Sequence, residues 1–203
     1  DGIRDKLVTG VQTCALPISQ ECDCDFITSG HSVVEGQILK WYESTFIKDP
    51  IETRGIGGEL WIWEQADYSK NYIVVADVAR GDGADYSAFH VIEIESVTQV
   101  AEFRGQIATK DYGNMLVNIA TEYNDALLVI ENANVGWATI QVALDRGYKN
   151  LYYSPKMDIG MGNVEQYLTK FENGNGMVPG FTTSLKTRPL VISKMVSYIH
   201  EKA

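Results

Sequence analysis

One stretch, residues 73–89, constrains the fold more than any other part of the chain. Residues 72–76 form an uninterrupted, largely β-branched apolar run, which is typical of a strand buried on both faces. The run ends on a carboxylate, Asp77, and a turn signal of Gly and Asp residues follows at 81–85. A second strand-like run comes next, at 86–94. The pattern predicts two neighbouring strands joined by a short connection, with an acid at the end of the first.

Asp77 has two interpretations. A charged group at the end of a central strand is expensive to desolvate unless something pairs with it, and a metal ion is one such partner. Asp77 could instead stabilise the turn, because Asp bonds readily to nearby backbone groups. The motif alone slightly favours the turn.

Composition excludes several classes of protein. A chain of 203 residues with 45% hydrophobic residues suits one globular domain, with room for an appended piece. The net charge of −10 argues against a generic basic nucleic-acid binder, although it allows a local basic patch. No apolar run approaches the roughly 20 residues of a membrane helix, so no membrane partner is expected. Cys14, Cys22 and Cys24 lack a matching downstream pair, which argues against zinc and favours a reducing compartment.

Residues 1–19 are predicted to lie outside the fold. Residues 8–18 can be encoded by a widely used short-read sequencing adaptor read in frame, so we interpret the segment as an artefact at the edge of a sequenced fragment. The true N-terminus is then expected to be missing. The alternative is a signal peptide, but its apolar region would be short and would hold Gln12 and Pro17.

The remaining sequence predicts three strands followed by alternating helices and strands. Such an order indicates an α/β fold with a mixed sheet flanked by helices, and it is the order of the ribonuclease H-like fold. The predicted elements are a helix from a capping box at 32–35 to about Ser44, a linker at 48–58, strands at 59–64 and 97–106, a helix capped by Asp111, a strand at 126–130, a helix ended by Gly147, a short strand at 151–153, a loop at 157–180 and a final helix with Pro189 in its first turn and Val191, Met195, Tyr198 and Ile199 inward.

A second apolar strand also ends on an acid, Glu131, 54 residues after Asp77. If the two strands are adjacent, their like charges repel unless a cation lies between them, and hard oxygen ligands suit Mg²⁺ or Mn²⁺. Two such ions about 4 Å apart would activate a water and stabilise the leaving oxygen of a phosphodiester. Asp85 could add a ligand. Asn132 and Asn134 could orient ligands or cap the next helix, and capping is favoured.

Three segments in this order, residues 73–88, 128–136 and 180–189, resemble the C-terminal nuclease domain of tailed-bacteriophage large terminase subunits. The similarity covers about residue 59 to the C-terminus, so residues 59–203 are interpreted as the nuclease domain, truncated at its C-terminus. Residues 20–42 are similar to the segment that leaves the packaging ATPase domain in that family, and 20–58 is interpreted as its tail and a linker.

The resemblance implies a ribonuclease H-like, metal-dependent endonuclease that cuts concatemeric double-stranded viral DNA during genome packaging. Carried over by motif, Asp77 is the first catalytic acid, Glu131 the second and Asp85 an auxiliary acid, with two Mg²⁺ or Mn²⁺ ions as cofactors. The family's third acid is expected after Ala203. The chain as given is therefore predicted to be nearly inactive, and the ATPase phosphate-binding loop is not in it.

The resemblance also implies partners and a location. The implied partners are double-stranded DNA and, for the full-length protein, the small terminase subunit and the portal protein. The implied location is the cytoplasm of an infected bacterium. Lys186 and Arg188 are candidate contacts to the DNA backbone, because phosphates attract cations; a solvated turn is an equal alternative. Two other functions stay open: an actin-like nucleotide-binding domain, weakened by Ala79 two residues after Asp77, and a non-catalytic DNA- or partner-binding module.

Overall fold

The computed structural model describes residues 33–83, 85–133, 135–155 and 176–202, so residues 1–19, the three cysteines, Asn134 and most of the loop predicted at 157–180 lie outside it. The chain divides into two compact units, Lys48–Arg188 and Asp1–Ile47 with Pro189–Ala203. The elements are α1 (Gly36–Phe46), β1 (Glu52–Arg54), β2 (Leu60–Ile62), β3 (Tyr72–Asp77), β4 (Ser87–Glu93), β5 (Thr98–Gly105), α2 (Thr109–Glu122), β6 (Leu127–Ile130), α3 (Gly136–Asp145), β7 (Tyr153–Pro155), β8 (Met177–Pro179) and α4 (Thr187–Lys202).

Six strands form one mixed sheet in the order β1-β2-β5-β4-β3-β6. Strands β3, β4 and β5 pair antiparallel as the predicted meander, whereas β6 pairs parallel with β3. A parallel pair requires a crossover, and α2 supplies it between β5 and β6. The predicted α/β fold with a mixed sheet flanked by helices is confirmed.

The hydrophobic core lies on one face of this sheet. In β3, Tyr72, Val74 and Ala76 are buried, and α2 packs against both β3 and β6. The prediction that β3 is buried on both faces is wrong, because Val75 on the opposite face is 39% exposed. Alternate residues of a strand point to opposite faces of the sheet. The described helices that pack on this sheet lie on the face of Tyr72, Val74 and Ala76, and not on the face of Val75. Among the described residues, nothing packs over the face of Val75, and this face is called the open face below.

Helix α2 buries the face that its apolar spacing predicts, including Tyr112, Leu116 and Ile119. Its N-terminus differs from the prediction: Ala108 is the N-cap, and Asp111 lies inside the first turn. A carboxylate there still stabilises the helix, because the N-terminal end of the helix dipole is positive. The predicted cap was one turn too late.

Helix α3 ends as predicted. Gly147 has a φ of 70°, and its N–H donates to the carbonyl of Leu144 at 2.9 Å. A positive φ favours glycine, so this residue allows the chain to leave the helix.

The sequence patterns do not predict the short strands β1 and β8. β1 lies in the stretch interpreted as a linker, and it pairs antiparallel with β2 at the edge of the sheet. β8 lies in the predicted loop and pairs with β7 in a separate two-stranded sheet. Strands of three residues are too short to show an alternation of apolar and polar residues.

Helices α1 and α4 provide the described residues of the second unit, where the Tyr42 hydroxyl donates to the Ile199 carbonyl at 3.1 Å. The N-cap of α1 is Glu35, without a side-chain cap bond, so the predicted capping box does not set its start. Pro189 lies in the first turn of α4 as predicted, but the inward face of that helix is wrong, because none of its described residues is buried. Its apolar side chains surround the helix, as the consecutive residues 190–192 show, and leave no single stripe to bury. No described helix is long and apolar enough to span a membrane.

Candidate metal centre

The strands that carry the two predicted acids are direct neighbours. Ala76 and Ile130 are Cα partners in the parallel β3–β6 pair, and the N–H of Glu131 donates to the Ala76 carbonyl at 3.0 Å. Both partner residues are buried, so the residue after each points to the opposite, open face. Asp77 is exposed there and Glu131 is half-buried. The sequence therefore predicted correctly that these strand ends meet.

The carboxylates of Asp77 and Glu131 are unpaired in the part of the chain that the structure describes. Neither accepts a hydrogen bond there, and neither forms a salt bridge. Two like charges on adjacent strands favour a cation between them, and carboxylate oxygens are the ligands that Mg²⁺ and Mn²⁺ prefer. The donor set at this edge of the sheet thus fits a divalent ion.

Asp85 lies in the turn between β3 and β4, where it is exposed. Hydrogen bonds fix this turn: the buried Ser87 hydroxyl accepts from the Ala79 N–H at 3.0 Å, and the Gln106 side-chain amide donates to the Gly83 carbonyl at 2.8 Å. Among the described residues, no three His, Cys, Asp or Glu side chains are grouped to hold a metal ion. The structure thus does not add Asp85 to the pair as a third ligand, and the roles of all three acids stay predictions.

A close approach at Gly81 fixes the other side of the same turn. Gly81 has a φ of 78°, and a Cβ added to it would lie 2.2 Å from the carbonyl oxygen of Ile107. Only glycine allows the turn to pack so closely against the segment that leads into α2. The backbone that follows Asp77 is consequently held in one place.

The backbone of Glu131 is held on two further sides. Glu131 forms a parallel bridge with Phe181, and the Phe181 N–H donates to the Ile130 carbonyl at 2.8 Å. The start of α3 packs on the Glu131 carbonyl so closely that a Cβ added to Gly136 would lie 1.9 Å from its oxygen. Glu131 is therefore placed by β3, by the segment after β8 and by α3.

Asn132 has a different role from the predicted helix cap. Its side-chain amide is buried and donates to the Pro179 carbonyl at 3.1 Å and to the Thr182 hydroxyl at 3.0 Å. The N-cap of α3 is Val135, without a side-chain cap bond. Asn132 thus fixes the segment after β8 beside Glu131. Its position two residues after an apolar strand is the signal that could have indicated a buried amide.

Tyr112 is a second residue that the sequence showed only as part of an apolar stripe. Its hydroxyl donates to the Ala88 carbonyl at 2.6 Å, and Ala88 is the Cα partner of Asp77. Burial raises the pKa of the Tyr112 hydroxyl far above its ordinary value, and the nearby charge of Asp77 raises it further. The phenol therefore stays protonated and anchors α2 to β4 beside the acid pair.

Lys186 and Arg188 are both exposed and form no salt bridge with another described residue. Their backbone is ordered by Ser184, whose hydroxyl accepts from the Lys186 N–H at 3.2 Å and whose carbonyl accepts from the Arg188 N–H at 3.0 Å. Their side chains are accessible to a ligand, and contact with DNA stays a prediction.

Comparison with known proteins identifies the fold. No protein-family profile and no curated protein sequence matches this chain. Among solved structures, it is similar to the large terminase nuclease from thermophilic phage G20c with bound magnesium, at a TM-score of 0.53 and 17% identity, over 76% of this chain and 66% of that one. The same nuclease with bound cobalt gives a TM-score of 0.52 and 17% identity, over 76% and 65%.

The chain thus spans about two thirds of the length of those solved chains. At this identity the similarity is one of fold, and it agrees with the six-stranded mixed sheet and its flanking helices. The chain has the ribonuclease H-like fold of the phage large terminase nuclease domains.

Proposed function

We propose that this chain is the nuclease domain of a phage large terminase subunit, a metal-dependent endonuclease that cuts concatemeric double-stranded viral DNA during genome packaging. The observation that carries the proposal is the unpaired acid pair, Asp77 and Glu131, at neighbouring strand ends on the open face of the sheet. The solved nucleases of the same fold were obtained with bound magnesium and with bound cobalt.

In this proposal Asp77 and Glu131 hold the metal, with Asp85 as an auxiliary ligand. Two Mg²⁺ or Mn²⁺ ions would activate a water and stabilise the leaving oxygen of the phosphodiester. The chain supplies rigid placement: β3 and β6 fix both acids through paired backbone, and misplacement of a reacting group by about 1 Å can cost about a hundredfold in rate. The open face leaves room for the DNA strand that is cut.

The proposal extends to the DNA contacts and partners. Lys186 and Arg188, exposed on an ordered backbone, would neutralise phosphates of double-stranded DNA. In the full-length protein, the small terminase subunit and the portal protein would be the protein partners. The place of action would be the cytoplasm of the infected bacterium.

Plasmid cleavage tests the proposal. The chain and a version extended at its C-terminus to include the predicted third acid are incubated with supercoiled plasmid and Mg²⁺ or Mn²⁺, with and without EDTA. We expect metal-dependent nicking and linearisation by the extended protein and nearly none by the chain as given. Asp77→Asn and Glu131→Gln should abolish cleavage, because each keeps the shape of the side chain and removes its charge.

The matched control is Asp49→Asn, which removes one exposed charge in the loop before β1. It should cleave like the parent protein, and circular dichroism should show all variants folded. Full cleavage by the folded Asp77→Asn protein would contradict the proposed site. An extended protein that binds ATP and never cleaves DNA would favour the actin-like alternative.

A further inference from the structure

Strand pairing places Arg104 in one row with the acid pair. Asp77 is the Cα partner of Ala88 across β3–β4, and Ala88 is the Cα partner of Arg104 across β4–β5. Directly opposite residues of paired strands project to the same face of a sheet. Arg104 therefore shares the open face with Asp77, and strands about 4.8 Å apart separate their Cα atoms by about 10 Å.

Only a small side chain separates Asp77 from Arg104 on the surface of the sheet. The residue between them is Ala88, whose side chain is a single methyl group. No bulky side chain of β4 rises between the two at this position of the row. An extended polyanion could therefore contact both residues across the sheet.

The Arg104 side chain is exposed, and its guanidinium lies over the Tyr86 ring, with 3.9 Å between the guanidinium carbon and the ring centroid. Within the part of the chain described, it forms no salt bridge, although the protein has 27 acidic and 17 basic residues. Stacking on an aromatic ring orients a guanidinium and leaves its edge N–H groups free for a phosphate.

The neighbouring row of the same face differs in this respect. There His90 and Glu102 are Cα partners, and their side chains pair with each other, with 3.6 Å between Nδ1 and Oε2. Glu102 also accepts a hydrogen bond from the Gln99 side chain at 2.7 Å. These groups already have partners, whereas Arg104 offers unpaired donors.

We propose that Arg104, oriented by Tyr86, binds a backbone phosphate of double-stranded DNA. This phosphate lies beside the phosphate that is placed at Asp77 and Glu131. The inference rests on the proposed function, and it assigns a positioning residue on the sheet itself. With about 3.4 Å of helix axis per nucleotide, the contacted phosphate lies a few nucleotides from the one at the acid pair. Arg104 would thereby set the register of the strand that is cut.

DNA binding as a function of salt tests this inference. Fluorescence anisotropy of a labelled duplex is measured in EDTA, so that nothing is cleaved, with the chain and its variants. Arg104→Ala should weaken binding and make the plot of log affinity against log salt shallower by about one, the share of one phosphate contact. Arg104→Lys should keep the slope, because it keeps the charge.

Two further variants separate binding from structure. Tyr86→Ala should weaken binding, and Tyr86→Phe should not, because it keeps the ring. The control is Lys149→Ala, which also removes one positive charge, but far from the acid pair. Lys149 precedes Asn150, whose carbonyl accepts from the N–H of Leu128 at the start of β6, and Glu131 follows the other end of that strand. This control should leave the slope unchanged.

An Arg104→Ala protein with the parent affinity and slope would overturn the inference, as would an equal change in Lys149→Ala or a chain that binds no DNA. The proposed function is judged separately by Mn²⁺ binding, which Arg104→Ala should retain. Loss of Mn²⁺ binding in Asp77→Asn together with parent DNA binding in Arg104→Ala would reject only the role of Arg104.

Discussion

At the scale of single residues, the structure distinguishes acids without a described partner from polar groups that hold the backbone beside those acids. Asp77 and Glu131 have no partner among the described residues, whereas the amide of Asn132 has two. The sequence predicted these two acids as a pair, because each ends an apolar run, and the structure shows that their strands are neighbours. The sequence could not assign Asn132, because the acceptors on Pro179 and Thr182 lie about 50 residues away in the sequence.

Asn132→Ala should lower the free energy of unfolding by about 1–3 kcal/mol, because it removes a donor from the buried Pro179 carbonyl and another from the half-buried Thr182 hydroxyl. Chemical denaturation monitored by circular dichroism measures the loss. Asn150→Ala is the control: its amide is exposed and donates to the Asp125 carbonyl at 2.9 Å, so its loss should be smaller. Equal losses in the two variants would show that the buried amide of Asn132 does not stabilise the region beside Glu131.

At the scale of elements, the long apolar patterns predicted the strands and helices, and the ends and edges needed the structure. Strands β3 to β6 and helix α2 follow their apolar runs. The apolar patterns do not predict the start of α2, the three-residue strands or the open face, because these features depend on contacts between distant segments. The open face of β3 matters most, since it exposes the acid pair that a doubly covered sheet would bury.

The packing of α2 and of the segment after α3 predicts that three buried or half-buried tyrosines lose their hydroxyl protons only at unusually high pH. Burial raises the pKa values of Tyr112, Tyr123 and Tyr148 above the ordinary value of about 10. Because the folded pKa values are raised, this stabilisation is complete below about pH 10 and falls as the pH rises further, when the unfolded chain loses these protons first.

Ultraviolet absorbance of phenolate measures this titration. Of the 11 tyrosines, these three should ionise only at higher pH or on unfolding, and Tyr112→Phe should remove one of the late group. Ionisation of all tyrosines together near pH 10, while circular dichroism still shows the native protein, would contradict the burial of these three side chains.

At the scale of the whole molecule, the six-stranded sheet lies in one compact unit, Lys48–Arg188, which carries all of the candidate site residues. The segment 1–19 lies outside the described residues, and its adaptor-like sequence predicts that it does not belong to the fold. Deleting it should leave the free energy of unfolding unchanged. A loss greater than about 1 kcal/mol in thermal unfolding would instead indicate that the segment packs against the protein.

Binding of Mn²⁺ to the chain tests the metal centre most directly, because it requires neither DNA nor cleavage. The electron paramagnetic resonance signal of free Mn²⁺ is titrated with the parent chain, Asp77→Asn, Glu131→Gln and the control Asp49→Asn. We predict weak binding by the parent chain and by Asp49→Asn, since two carboxylates give a loose site, and a clear loss of binding in Asp77→Asn and Glu131→Gln. Binding that is unchanged in both site variants would contradict a metal centre at the ends of β3 and β6.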